Sequence, residues 1–168
     1  HRLSRASFSP NYKYVLGKIA TTNVKASIFL FDLINNKTYE VIEEVDIQPG
    51  EEVAKWSYDS NYFTYEKNNK LYYFSVPDFF NKKILAEEWR IIGKGKLGNS
   101  EWTIDNNLIW VEDNLIYVSD SKQFLSRSIY KNYLRQGAVV DKLPFSLNLN
   151  SDSFIYNDKC QKFLFIKN

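Results

Sequence analysis

A chain of 168 residues with 22 Lys and Arg against 20 Asp and Glu carries a net charge of +2, which argues against the concentrated basic face of a dedicated nucleic-acid binder. A single Cys forbids an intrachain disulfide, and one Cys with one His falls short of the common zinc sites. Its 12 Tyr, 12 Phe and 4 Trp favour pleated, half-buried strands, and the length fits one domain with a real core.

Gly and Pro number only six and four, so Asn and Asp must supply many of the turns. They can, because they tolerate left-handed backbone angles and bond their own main chain. Alternating apolar residues predict strands over 12–20, 26–33 and 38–43, with a turn at Asn35-Asn36. Strands follow over 53–58, 62–66 and 71–76. Asn68-Asn69 closes a tight hairpin between the last two, and Pro77 ends the third because it cannot donate to a ladder.

Residues 85–92 fit either a helical turn or an outer strand. Strands over 101–104, 107–112 and 115–119 come next, with Asp113-Asn114 as a hairpin turn. In 121–136, Phe124, Leu125, Ile129, Tyr130, Tyr133 and Leu134 fall at helical spacing. An outer strand within 124–131 is the competing reading. The last strands are expected over 146–150, 153–156 and 162–167, with Asn157-Asp158-Lys159 as their turn.

These elements recur at a spacing of about 46–48 residues, within the range that marks arrays and propellers. Phe8-Ser9-Pro10-Asn11-Tyr12 is echoed by Trp56-Ser57-Tyr58-Asp59-Ser60, by Trp102-Thr103-Ile104-Asp105-Asn106 and faintly by Leu149-Asn150-Ser151-Asp152-Ser153. The repeats cover approximately 1–48, 49–94, 95–140 and 141–168. The chain resembles the WD40-like PD40 blades of TolB-type β-propellers, in which an aromatic and a Ser-Pro-Asp-Gly turn precede a strand. Ile28-Phe29-Leu30-Phe31-Asp32 and Leu115-Ile116-Tyr117-Val118-Ser119-Asp120 resemble the Ile-Tyr-Val-x-Asp strand of the same family, and Leu71-Tyr72-Tyr73-Phe74-Ser75 is a looser copy. The Gly of the family's turn is absent from all four copies. The resemblance implies an all-β fold: antiparallel meander sheets arranged as about four propeller-like blades, a partial or small β-propeller. Such propellers usually have six to eight blades, so a fragment of a longer protein is expected, with open edges that invite self-association.

Catalytic constellations are missing. A Ser-His-Asp triad would need His1, at the chain terminus. Gly93-Lys94-Gly95-Lys96-Leu97-Gly98 spells G-x-G-x-x-G, but a strand rather than a phosphate-binding helix is expected after it, which makes it a flexible inter-blade loop. Glu43-Glu44, Glu51-Glu52 and Glu87-Glu88 are expected in solvated loops; on a strand, adjacent residues point to opposite faces. Lys67, Lys70, Lys82, Lys83, Lys94 and Lys96 read as solvated loop lysines. Asp105, Asp113 and Asp120 read as turn acceptors, since no calcium-loop spacing surrounds them. Cys160 reads as a small buried hydrophobe, and Asn36-Lys37-Thr38 as a chance sequon.

Trp56, Trp102 and Trp110 are expected in the core. Trp89 lies outside the repeat among charges and is the candidate partner contact. The functional expectation is a non-enzymatic protein-interaction or scaffold module, extracytoplasmic and bacterial, without cofactor or metal. It is expected to have a protein partner, no nucleic acid and no membrane span, because no apolar run reaches 18 residues. The alternatives are an accessory propeller segment of a serine peptidase of the prolyl-oligopeptidase or dipeptidyl-peptidase type, and a surface antigen or adhesin domain.

Overall fold

The computed structural model describes residues 3–47, 52–83, 87–94, 96–112, 115–120, 138–142, 153–157 and 162–166. The described fold is all-β and antiparallel. Strands β1 (Leu3–Phe8), β2 (Tyr14–Ala20), β3 (Lys25–Asp32) and β4 (Lys37–Asp46) pair in sequence order as one four-stranded meander. A second meander holds β5 (Lys55–Trp56), β6 (Tyr62–Lys67), β7 (Lys70–Ser75) and β8 (Ile91–Lys94). A third holds β9 (Ser100–Trp102), β10 (Asn107–Glu112), β11 (Leu115–Asp120) and β12 (Ala138–Lys142). Strands β13 (Ser153–Asn157) and β14 (Lys162–Ile166) pair with each other. No described sheet closes on itself.

The turns follow from residue type. Asn68 and Asn69 both take positive φ, at 52° and 55°, as a two-residue hairpin of the mirror-image kind requires. Asn36 has φ 51° in the β3–β4 turn. The strand before Pro77 ends at Ser75, and a five-residue helix α1 (Val76–Phe80) follows it, an element that strand periodicity does not reveal. Pro77 sits in its first turn, where no amide donor is needed. The Ser75 hydroxyl caps the helix by accepting from Asp78 N at 3.2 Å.

Sheet 2 is buried on both faces, and the pleat sorts its side chains. Phe63, Tyr65, Tyr72 and Phe74 pack with Leu16, Ile28, Leu30 and Val45 of sheet 1. Tyr62, Leu71 and Tyr73 pack with Trp102, Leu108 and Trp110 of sheet 3. Adjacent residues thus serve opposite interfaces, the period of two expected of a strand. Trp56, Trp102 and Trp110 are core residues, as their place in the repeat predicts. The first strands of the three sheets lie side by side: Trp56 Nε1 donates to Ser7 O at 3.2 Å, and Lys55 Nζ donates to Ser100 O at 2.6 Å.

Several sequence expectations need correction. The region 85–92 combines both alternatives, a 3₁₀ turn at Glu87–Arg90 leading into β8. The third sheet takes its outer strand from Ala138–Lys142; residues 121–137 lie outside the described residues, as do Cys160 and the turn at 158–159. The glycine-rich segment is in part packed, with Gly95 outside the described residues. Leu97–Asn99 form a 3₁₀ turn, Leu97, Asn99 and Ser100 are buried, and β9 follows. Gly93 has a packing role: a Cβ there would sit 2.6 Å from Glu112 Oε2 and 3.0 Å from Trp110 Nε1. The absent side chain lets sheet 3 approach sheet 2.

Candidate interaction surface

The repeated motif opens a turn in the same way three times, the third closing one residue earlier than the other two. The amides of Tyr12, Ser60 and Asn106 donate to the carbonyls of Ser9, Ser57 and Thr103 at 2.9, 3.0 and 2.9 Å. The hydroxyl opening each turn accepts from the strand that leaves it. Ser9 Oγ takes Tyr14 N at 3.0 Å, Ser57 Oγ takes Tyr62 N at 2.9 Å, and Thr103 Oγ1 takes Asn107 N at 3.1 Å. Ser9 and Ser57 also donate, to Asn11 Oδ1 at 2.8 Å and Asp59 Oδ1 at 2.6 Å. These bonds explain why Ser or Thr opens each turn and Asn or Asp follows two residues later.

The fourth turn residue is left-handed in each copy: φ is 57° at Tyr12, 63° at Ser60 and 61° at Asn106. Glycine would adopt this angle without strain, yet none is present. Two of the side chains have a use that glycine lacks. Ser60 Oγ accepts from Asn11 N at 3.1 Å, and Asn106 Oδ1 accepts from Asp59 N at 2.8 Å. Each turn is thereby latched to its neighbour, and the three turns form one continuous end of the sheet array. Tyr12 has the same strained angle, but its ring is 75% exposed.

This end collects the exposed apolar surface. Of the eight exposed large apolar side chains among the described residues, Phe8, Tyr12, Tyr58 and Ile104 lie in or beside the latched turns. Leu33 and Ile34 occupy the β3–β4 turn, which the Leu33 amide ties to Lys13 O at 2.9 Å. Phe80 belongs to α1, which follows β7 at the same end, and its ring stacks on Tyr14 at 6.0 Å. Only Val24 lies at the opposite end, in the β2–β3 turn.

Below the surface, Tyr14 stacks on Trp56 at 6.4 Å, and Tyr39 meets Phe79 and Phe80 edge-on at 5.5 Å. Burial raises the Tyr14 phenol pKa, helped by the Asp32 charge. Asp32 accepts from Ile34 N, Asn35 N and Asn35 Nδ2. The Asn35 side chain, then the backbone amides, hold its carboxyl below the usual aspartate range despite burial.

The surface was only partly marked in the sequence. Trp89 lies in the 3₁₀ turn Glu87–Arg90, but its side chain is outside the described side chains. Tyr58 and Ile104 were missed, although the alignment places Pro10, Tyr58 and Ile104 at one repeat position within an otherwise polar turn. Asp105 is an exposed turn residue. The described residues include no group of three or more His, Cys, Asp or Glu able to hold a metal, and no helix long and apolar enough to cross a membrane.

No family model and no curated protein matches the chain. Among solved structures it is similar to an auxiliary nutrient binding protein from Bacteroides thetaiotaomicron VPI-5482, with a TM-score of 0.54 at 11% identity. The match covers 98% of this chain and 36% of that one. At this identity the likeness concerns the fold alone.

Proposed function

We propose that this chain is a non-enzymatic, propeller-like binding module that docks a protein partner with the latched-turn end of its sheets. The carrying observation is the gathering of seven of the eight exposed large apolar side chains at that end. Contiguous apolar surface of this kind marks interaction sites. The strained backbone beneath the exposed Tyr12 ring supports the same reading, since such strain concentrates at functional positions. Aliphatic Leu33, Ile34 and Ile104 beside the tyrosines suit the apolar core of a protein interface, with Asn11, Asn35 and Asp105 as its polar rim.

A propeller-like arrangement is supported by three meanders of four strands, each running in sequence order, and by neighbouring first strands. A binding role agrees with the description of the structural neighbour as an auxiliary nutrient binding protein, and an extracytoplasmic location is part of the proposal. The test is site-specific photocrosslinking in the native source, with the crosslinker at Tyr58 or at Val24. A discrete adduct at Tyr58, absent at Val24 and abolished by Tyr12→Ser with Ile104→Ser, is expected. Equal labelling at both ends, or no adduct at Tyr58, would refute the assignment.

A further inference from the structure

A second site stands on the flank of the molecule, away from the latched turns. Strand β4 carries two bulges against β3: Val41 is extra between the pairs Ile28–Ile42 and Phe29–Glu40, and one of Glu43 and Glu44 is extra between Ile28–Ile42 and Ala26–Val45. Glu44 has φ 56°. The bulges break the strict alternation of the strand. Glu43 and Glu44, which regular pleating would send to opposite faces, both line one cleft with Glu40. The opposite wall is Lys67, Glu87 and Arg90, and the cavity measures about 250 Å³.

The charges are unevenly satisfied. Lys67 Nζ lies 2.9 Å from Glu87 Oε1, so that pair is internally neutral. Arg90 is different. Its Nε and Nη1 are shielded from solvent and have no hydrogen-bond partner in the structure, and its guanidinium stands 5.7 Å from the Phe74 ring centre. A shielded cation with idle donors is costly unless something supplies acceptors. Tyr65 repeats the signal. It is fully buried on the same strand face as Lys67, two residues deeper, and its hydroxyl also has no partner. Burial drives its phenol pKa up, and Arg90 and Glu87 are both within electrostatic reach. The hydroxyl therefore stays protonated, although Tyr65 itself does not line the cleft.

The occupant follows from the two signs of charge. With Lys67 and Glu87 paired, Glu40, Glu43 and Glu44 remain against Arg90. A simple anion is opposed by three carboxylates, and a simple cation leaves Arg90 unanswered. We propose that this cleft binds a small zwitterion, a free α-amino acid, with its carboxylate drawn to Arg90 and its ammonium held among Glu40, Glu43 and Glu44. Val41 and Ile42 supply an apolar wall for its side chain. The volume lies below the range of drug-sized pockets, which suits so small a ligand. Induced reorientation of Arg90 toward the cleft accompanies binding, because its shielded donors must turn to meet the carboxylate.

Titration calorimetry of the full chain with L-alanine tests this, using N-acetyl-L-alanine and L-alanine methyl ester as probes that each delete one charge. Saturable binding of L-alanine is expected, with both derivatives at least tenfold weaker. Glu44→Gln, at an exposed position, and Arg90→Lys, which keeps the charge but loses the planar fork, should each weaken binding about tenfold while Tyr58→Ser leaves it unchanged. Because Tyr58 belongs to the other surface, the two assignments fail separately. No binding of L-alanine, equal binding of either derivative, or undiminished binding by the Glu44→Gln variant would overturn the proposal.

Discussion

Sheet 2 faces two neighbours, and it meets them with different chemistry. Toward sheet 1 it presents Phe63, Tyr65, Tyr72 and Phe74 to an aliphatic wall of Leu16, Ile28, Leu30 and Val45. There the first strands of the two sheets are joined by neutral hydrogen bonds, Trp56 Nε1 to Ser7 O and Ser7 Oγ to Ala54 O. Toward sheet 3 the described core is richer in indoles, with Tyr62 stacked on Trp102 at 6.2 Å and Trp110 on Tyr117 at 5.2 Å. The first-strand link there is charged: Lys55 Nζ reaches Ser100 O and Glu101 Oε2. A glycine, Gly93, admits Trp110 and the fully buried Glu112. The repeat therefore conserves the turn and the strand order while leaving each interface free to use its own means of cohesion. The first interface rests on volume and the second on fit.

The largest test of that contrast removes volume from the first interface. Phe74 is fully buried, 4.7 Å from Phe63 ring to ring and 5.6 Å from Phe79. Phe74→Ala should cost about 3–5 kcal/mol, the usual range for truncating a buried aromatic, measured by urea unfolding. A loss below about 1 kcal/mol would mean that interface does not depend on this packing. The corresponding test of fit adds a single methyl to the second interface. Gly93→Ala places a carbon against the carboxylate of the fully buried Glu112 and the indole nitrogen of Trp110. A destabilisation of about 1–3 kcal/mol is expected, with an altered Trp110 fluorescence environment. A neutral Gly93→Ala would show that sheets 2 and 3 are not closely fitted.

Acid should act on sheet 1. Asp32 and Asp46 belong to it, and hydrogen bonds from Asn35 and Lys25 respectively hold both carboxyls below their ordinary range. A depressed folded-state pKa contributes stability that is fully present above the unfolded value near pH 4 and is lost as pH falls through the folded value. Stability followed by urea midpoint should therefore fall steadily below about pH 4. Asp32→Asn should flatten part of that decline while lowering stability at neutral pH. An unchanged acid slope in the variant would remove Asp32 from the account.

The order of β2 to β7 and of β9 to β11 was legible because its signals are local, whereas β1 and β12 were not expected. Paired Asn residues at 68–69, the polar turn after each aromatic, and alternation along β2 and β3 each fix a short stretch of backbone. What escaped was set by contacts between sheets. Pro77 announced the end of β7, but α1 exists because Phe79 has a place against Phe74 and Tyr39. Gly93 read as loop because its partners Trp110 and Glu112 come 17 and 19 residues later, on another sheet. Lys67 read as a solvated lysine, yet its side chain is 12% exposed and ion-paired to Glu87. The pair Glu43-Glu44 read as solvated and divided between two faces; two bulges, invisible to a count of alternation, bring both to one cleft.

The smallest effect concerns the latch shared by both interfaces. Asn106 holds a left-handed backbone angle and in return gives Asp59 N an acceptor at 2.8 Å. Replacing it by Gly removes the strain, worth about 1 kcal/mol for a side chain at that angle, and loses a hydrogen bond worth about 0.5–1.5 kcal/mol net. The two terms nearly cancel, so Asn106→Gly should change stability by less than about 1 kcal/mol. Asn106→Ala keeps the strain and loses the bond, and should be the worse of the two by about 1 kcal/mol. If Ala and Gly prove equal, the angle costs nothing in this turn. The absence of glycine from all three latched turns would then follow from the acceptors alone. That outcome would leave Tyr12, which latches nothing, as the one left-handed residue of the three latched turns whose side chain faces outward for another purpose.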